Sequence, residues 1–163
     1  IKQSRVIMFY QEFGVPDTAN GRFDLISLHA YVIMRRLKNL GEDQGKLSQA
    51  LFDLMFSDID KNLREMGVGD LAVGRRVKKL VAAFYGRIRS YDDGLKGGNN
   101  ELRDALERNI YLDSGATTGQ ILLMVKYLQA QVMESDRWSY SSINNSTFSF
   151  ISPDLEMGAN SGR

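Results

Sequence analysis

The 163-residue sequence contains no cysteine, a single histidine and only two prolines. Without cysteine there is no disulfide scaffold, thiolate zinc site, cysteine nucleophile or dithiol redox pair. One histidine leaves too few soft ligands for most zinc or copper sites. We therefore expect no cofactor, no metal and no catalytic residue. This composition is typical of a binding or helper protein, and the remaining enzymatic alternative is one that works with carboxylates.

Long apolar runs and an excess of either charge are also missing. No stretch approaches the roughly 18 apolar residues that a membrane-spanning helix needs, so the sequence predicts no transmembrane segment. The 21 Lys and Arg residues nearly balance the 20 Asp and Glu residues, and the net charge of +1 indicates no class of partner. The chain begins at Ile1, inside a predicted helix, so we expect a domain excised from a longer protein, and the given sequence would not show any targeting segment upstream.

Apolar residues recur every three or four positions along most of the chain, which predicts a single compact all-α domain of about six helices with a short extended or disordered C-terminal tail. The second helix is apolar on nearly all sides and is expected at the centre. The fourth helix is expected to have Asp70 as its cap, and Lys96–Asn100 to form a flexible connector. The predicted helices cover about 2–13, 22–40, 46–66, 70–93, 100–110 and 118–134.

The predicted domain organisation divides the chain after residue 137. Residues 1–137 form the helical domain, and residues 138–163 form a tail rich in Ser, Asn and Gly. We expect this tail to be partly extended, with Phe148, Phe150 and Ile151 packed on the domain, and partly flexible towards the end.

A polar seam is predicted between the second and third helices. If these helices form an antiparallel hairpin, Arg22 lies level with Glu65, and His29 with Asp58. The stem of Arg36 is expected to cover the same seam. His29 and Asp58 are either a general base with its orienting acid or a structural clasp between two core helices. We favour the clasp because no serine lies at a spacing that suggests activation.

The glycine-rich segment Gly67–Arg75 is open to two interpretations. Glycines before a helix can present backbone N–H groups to a phosphate. However, a helix rather than a strand precedes the segment, and the usual Gly-Lys-Ser/Thr ending is missing. We therefore interpret it as a tight corner between helices.

The fourth helix carries a locally unbalanced charge. No acid occurs between Asp70 and Asp92, whereas six basic residues accumulate there. The small residues Ala82 and Gly86 separate two basic clusters, and a mid-helix glycine often serves a close approach. We expect a partner protein, ribosomal RNA or an acidic membrane surface to dock on this face; internal helix packing is the alternative. The candidate partner-binding residues are Arg75, Arg76, Lys78, Lys79, Ala82, Gly86, Arg87 and Arg89.

Several segments together resemble the ubiquinol-cytochrome c chaperone family, with most similarity to its bacterial branch. The resemblance is densest up to about residue 90 and extends to about residue 134. It is carried by Val15–Thr18, Gly21–Leu25, Leu28–His29, Arg35–Leu37, Ser48–Asp58, Leu63–Asp70, Gly74–Lys79 and Ala83–Arg87.

The resemblance implies a helical, non-enzymatic assembly chaperone for the cytochrome bc complex, ubiquinol-cytochrome c reductase. It also implies a protein partner, either cytochrome b or an assembly partner, and work near the ribosome in mitochondrial members. The expected location is the cytoplasm of a bacterium, at the inner face of the membrane, or the mitochondrial matrix in a eukaryote. The alternative is a ribosome- or RNA-associated module that uses the basic fourth helix.

Overall fold

A computed structural model describes residues 1–41, 45–112 and 114–153 of the chain. All regular structure in these ranges is helical, which confirms the all-α prediction. A 3-10 turn, Gln3–Arg5, precedes the helices α1 (Met8–Gln11), α2 (Ala19–Leu40), α3 (Gly45–Glu65), α4 (Asp70–Gly97), α5 (Asn99–Ile110), α6 (Thr118–Ser135) and α7 (Tyr140–Asn144).

Helix α2 is the central element of the fold, as its apolar surface predicts. It contacts the 3-10 turn, α3, α4, α5, α6 and α7. Thr18 begins the helix, because its side-chain oxygen accepts a hydrogen bond from the Gly21 amide at 3.1 Å. The helix expected from about residue 22 therefore begins earlier, and Asn20 and Gly21, a pair that is typical of turns, belong to its first turn.

The apolar residues form two separate clusters on opposite sides of α2. The main core joins α1, α2, α5, α6 and the end of α4, and includes Phe9, Leu28 and Tyr127. The second core joins α2, α3 and α4 around Phe56 and Phe84. Phe56 is the one buried residue of α3 in the described chain, so α3 is attached through a much smaller apolar contact than the other long helices.

The N-terminal segment is not the single helix expected over 2–13. The 3-10 turn ends at Arg5, and α1 starts only at Met8, because Val6 adopts an extended conformation. The break lets Ser4 reach the main-chain oxygen of Leu25 while Phe9 enters the main core. Tertiary contacts therefore override the local helical pattern.

The expected flexible connector Lys96–Asn100 is also wrong. Helices α4 and α5 are separated by Gly98 alone, whose φ of 114° lies in the region that favours glycine. The two helices then run very close together: a Cβ added to Gly94 would lie 2.9 Å from the Leu102 Cα. This glycine is what allows α4 and α5 to touch.

The tail packs on the main core and contains α7, a short helix that the sequence pattern did not predict. Ser139 caps it by accepting a hydrogen bond from the Ser142 amide. Beyond α7, Phe148 and Phe150 pack against Trp138, and Gln131 bonds both the amide and the carbonyl of Ile151. The packing expected for Phe148 and Phe150 is confirmed, and Ile151 is held there through its main-chain hydrogen bonds. The boundary at residue 137 stays a prediction, and the end expected to be flexible lies outside the described residues.

Candidate functional site

His29 is hydrogen-bonded at both ring nitrogens inside the main core. Its Nδ1 lies 2.7 Å from the Leu25 main-chain oxygen, which only accepts, so Nδ1 carries the proton. Its Nε2 therefore accepts from the Tyr127 hydroxyl at 2.8 Å. Gln3 in turn donates to that hydroxyl at 3.0 Å. This chain of hydrogen bonds, which we call the His29 network, connects the 3-10 turn, α2 and α6.

The predicted pairing of His29 with Asp58 is wrong. Asp58 is exposed on the outer side of α3, whereas His29 points away from α3 into the main core. The cause is the helical rotation of about 100° per residue. Ala30 faces α3 in the second core, and His29 therefore turns towards α6.

The other expected pair of the polar seam is wrong for the same reason. Arg22 pairs with Asp17 at 2.9 Å, and Glu65 with Lys61 at 3.8 Å, both on the surface. Arg36 lies against the tail instead, where its Nε donates to the Trp138 carbonyl at 2.8 Å. The seam predicted between α2 and α3 is thus an apolar contact.

Burial lowers the pKa of His29 to about 4, so the ring is neutral at pH 7. Only 4% of the residue is exposed, and Nε2 is already occupied by Tyr127. The alternative in which His29 and Asp58 act together as base and acid in an open pocket is excluded, because His29 is buried with both ring nitrogens bonded elsewhere and Asp58 is exposed on α3. His29 instead fixes the relative position of three segments.

A buried ion pair links α2 to α4. The Arg87 guanidinium donates to the Asp24 carboxylate at 2.5 Å and lies 5.4 Å from the centroid of the Phe23 ring. Burial raises the pKa of Asp24 to about 6, although Arg87 opposes this shift. Arg87 was predicted to bind a partner, and this is wrong, because its side chain is directed inward and is only 17% exposed.

The remaining basic residues between Asp70 and Asp92 form a continuous exposed face on α4. Spacings of three and four residues place them on one side of the helix. Each member is exposed, and no acid lies between Asp70 and Asp92. We call this face the α4 outer stripe; it consists of Arg75, Lys78, Lys79, Ala82, Gly86 and Arg89, and the exposed Arg76 lies on its flank.

Nothing in the described chain covers the middle of this stripe. A Cβ added to Gly86 would meet no atom within 4 Å. The internal helix packing that could have explained this glycine is therefore absent at Gly86. A shallow cleft of about 460 Å³ opens beside it towards α5, and Arg89 and Arg108 line it together with Asp93, Glu101 and Asp104.

The corner between α3 and α4 is confirmed as a helix-to-helix turn. Gly67 has a φ of 80°, which ends α3 in the left-handed conformation. Gly69, and not Asp70 as expected, is the N-cap residue of α4. The Asp70 carboxylate instead forms an ion pair with Arg64 across the corner.

The described ranges contain neither a membrane-spanning helix nor a cluster of metal ligands. None of the helices there combines the length and apolar character needed to cross a bilayer. In the same ranges, no three His, Asp or Glu side chains are grouped closely enough to share a metal ion.

The fold and this surface define a class: an all-α domain whose most distinctive feature is an exposed, acid-free basic face. The model of the family described as ubiquinol-cytochrome C chaperone matches residues 11–150. The chain belongs to this family.

Individual relatives agree with this assignment. The crystal structure of the Cbp3 homolog from Brucella abortus is 32% identical, with a TM-score of 0.81 over 94% of this chain and 85% of that one. Ubiquinol-cytochrome-c reductase complex assembly factor 1 of Xenopus laevis is 25% identical over 78% of this chain and 64% of its own length. Protein CBP3, mitochondrial, of Saccharomyces cerevisiae is 25% identical over 91% of this chain and 46% of its own length. The chain thus spans about half to two thirds of these two curated relatives.

The His29 network predicts a specific pH dependence of stability. Unfolded His29 takes up a proton near the ordinary histidine pKa of 6.5, whereas folded His29 resists protonation down to about pH 4. Its stabilising contribution is therefore complete above pH 6.5 and is lost as the pH falls towards 4, by up to about 1.4 kcal/mol per pH unit.

We expect wild type to be more stable than His29→Gln by about 1–3 kcal/mol at pH 7, and this difference to shrink at pH 4.5. Urea unfolding of both proteins at both pH values measures it. The opposite pH effect of Asp24 is present in both proteins and cancels in the comparison. An equal difference at the two pH values would contradict the assigned neutral state of His29.

Two glycines of α4 should respond oppositely to the same substitution. Gly86→Ala should stabilise the isolated chain by about 0.5–1 kcal/mol, because alanine favours the helix and the added methyl group meets nothing. Gly94→Ala should destabilise it by about 1–3 kcal/mol, because α5 must move away. Thermal unfolding of the two variants measures both effects. A destabilised Gly86→Ala would mean that the chain itself covers this position.

Proposed function

We propose that this chain is a non-enzymatic chaperone for the assembly of ubiquinol-cytochrome c reductase. Family membership supports the proposal, as do the names of the curated relatives, which describe assembly factors of that complex. The observation that carries it is the α4 outer stripe. It is an exposed surface along a long helix, nothing in the described chain covers its central glycine, and it is suited to holding another protein.

The proposed docking centre is the small-residue region formed by Ala82 and Gly86. Two small residues four positions apart leave a shallow depression in which a partner helix could approach the α4 backbone. Tyr85 borders this depression, is 52% exposed and stacks on Phe52 at 5.5 Å between ring centroids. Aromatic side chains of this kind are enriched at protein interfaces.

Charge supplies the second element of the proposed interface. Arg89 stands at one side of the depression, and Lys78 and Lys79 at the other, all exposed to solvent. We infer that they attract acidic groups on the client, which is cytochrome b or another protein of the assembly pathway. Salt-sensitive RNA binding by the same cations is the alternative, but Tyr85 is the single exposed aromatic residue that borders the stripe in the described chain, whereas stacking along a nucleic-acid strand uses several.

The proposed location follows from the family. The matched structure comes from a bacterium and the yeast relative is named as mitochondrial. We infer that this chain acts in the bacterial cytoplasm at the inner face of the membrane, or in the matrix if its source is a eukaryote. Either compartment gives access to a client that is being inserted into the membrane.

The decisive variant is Gly86→Leu, which fills the depression without disturbing the fold. Because the new side chain meets open space, the isolated domain should stay folded. We expect the variant to behave like a gene deletion and to lower both the assembled cytochrome bc complex and ubiquinol oxidation several-fold. Native gels and activity measurements on membranes give the two readouts.

Gly119→Leu is the matched control. Gly119 is exposed in the first turn of α6, and a Cβ there would approach only the neighbouring Thr117 side chain. This variant should leave assembly unchanged. Normal complex levels in the deletion strain would refute the proposed function, whereas normal levels with Gly86→Leu alone would refute only the docking centre.

A further inference from the structure

Two aliphatic side chains are largely exposed to solvent at the corner between α3 and α4. Met66 is 76% exposed and Leu71 is 85% exposed. They lie on either side of Gly67, whose left-handed conformation turns the chain there. Two exposed aliphatic residues at one turn require an explanation, unlike apolar residues scattered singly over a surface.

The corner is followed directly by the most basic part of the chain. Arg75, Arg76, Lys78 and Lys79 are exposed, and none of them forms an ion pair with another described residue. The acids nearby, Asp60, Glu65 and Asp70, are already paired with Lys61 and Arg64. Six basic residues against three acids leave a net charge of +3 over residues 60–79.

The helical register aligns these two features. Leu71, Arg75 and Lys78 lie on one face of α4 because they are spaced by four and three residues. At a rise of about 1.5 Å per residue, the Arg75 Cα is about 6 Å and the Lys78 Cα about 10 Å along the axis from that of Leu71. An aliphatic tip that enters a bilayer by about 5–10 Å would thus bring both cations to the level of the phosphate groups.

We propose that this corner, Met66 and Leu71 with Arg75, Arg76, Lys78 and Lys79, docks the domain on the surface of an anionic lipid bilayer. Aliphatic insertion and cation attraction act together in such docking. RNA would use the cations but would leave Met66 and Leu71 in water. The aliphatic side chains therefore favour a membrane over a soluble polyanion.

The geometry keeps the centre of the proposed client site away from the membrane, whereas Lys78 and Lys79 lie between the two sites and border both. Ala82 and Gly86 lie about 16–22 Å along α4 from Leu71, beyond the Debye length of about 8 Å at physiological salt. The depression would lie clear of the headgroups while the corner touches them. The inference does not rest on the proposed chaperone function, because lipid binding is a property of the purified domain.

Vesicle flotation tests the proposal. Purified wild-type protein is mixed with vesicles of phosphatidylcholine that contain about 30 mol % phosphatidylglycerol, or none. We expect binding only to the anionic vesicles. Arg75→Glu with Lys78→Glu should lower the partition coefficient more than tenfold, since each basic residue near the surface contributes about fivefold. Met66→Ser with Leu71→Ser should lower it about tenfold or more.

Matched controls remove residues of the same kind elsewhere. Leu54→Ser removes a leucine on α3 that is 70% exposed, and Lys126→Glu reverses an exposed cation on α6. Both should bind anionic vesicles as wild type does, and circular dichroism should show every variant folded.

Three results would overturn the proposal: equal binding to both kinds of vesicle, unchanged binding of the Met66→Ser/Leu71→Ser variant, or an equal loss with the control variants. Displacement from vesicles by polyuridylate, together with normal vesicle binding of the serine variant, would assign the corner to nucleic acid instead.

Discussion

The neutral imidazole of His29 holds together parts of the chain that are far apart in sequence. Its proton is donated to α2 itself, its lone pair accepts from Tyr127 on α6, and Phe150 of the tail packs on its ring at 5.0 Å between centroids. Ser4 and Gln3 bring the N-terminal turn to the same place. A buried ring that satisfies both nitrogens while remaining uncharged avoids the large cost of burying an ion. The N-terminus, α2, α6 and the tail therefore form one unit.

Helices α3 and α4 are held to this unit in a different way. The second core is small, and the polar links between α2 and α4 are the Asp24–Arg87 ion pair and the bonds that Tyr31 and Arg35 donate to Asp92. Most of α3 and the outer side of α4 contribute little to either core. Packing therefore places few constraints on the residues there, and they can be suited to surface interactions. The exposed glycine, the acid-free basic stripe and the aliphatic corner all lie in this part of the molecule.

Much of this fold could be predicted from periodicity and from its interruptions. The limits of α3 and α6, the left-handed Gly67 and the central position of α2 follow from local sequence signals. The partners of His29 could not be predicted, because adjacent residues of a helix point about 100° apart. Ala30 faces α3, whereas His29 faces α6. The seam residues Arg22, Asp58 and Glu65 lie on the surface for the same reason. The short N-terminal helix and α7 depend on tertiary contacts that leave little trace in local sequence.

The candidate site was predicted in part. The run of basic residues without an acid along α4 predicts the exposed basic stripe. The structure shows that nothing in the described chain covers Gly86 within it. Arg87 does not belong to this stripe. Its angular position, about 140° from Ala82 on the helical wheel, already indicates a different side of α4. Its partner Asp24 carried no local signal, because the two residues meet only after α2 and α4 pack. The aliphatic corner was missed because exposure, and not residue type, makes Met66 and Leu71 unusual.

Site-specific photo-crosslinking in living cells tests the central claim, that the middle of α4 holds a protein of the reductase assembly pathway. A photoreactive residue would replace Ala82 on the α4 outer stripe, and Lys126 on the exposed side of α6 would serve as the comparison site. Our account predicts that position 82, and not position 126, forms a crosslink to cytochrome b or another protein of that complex, identified by mass spectrometry. Crosslinks to such a protein from position 126 alone, or from neither position, would contradict it.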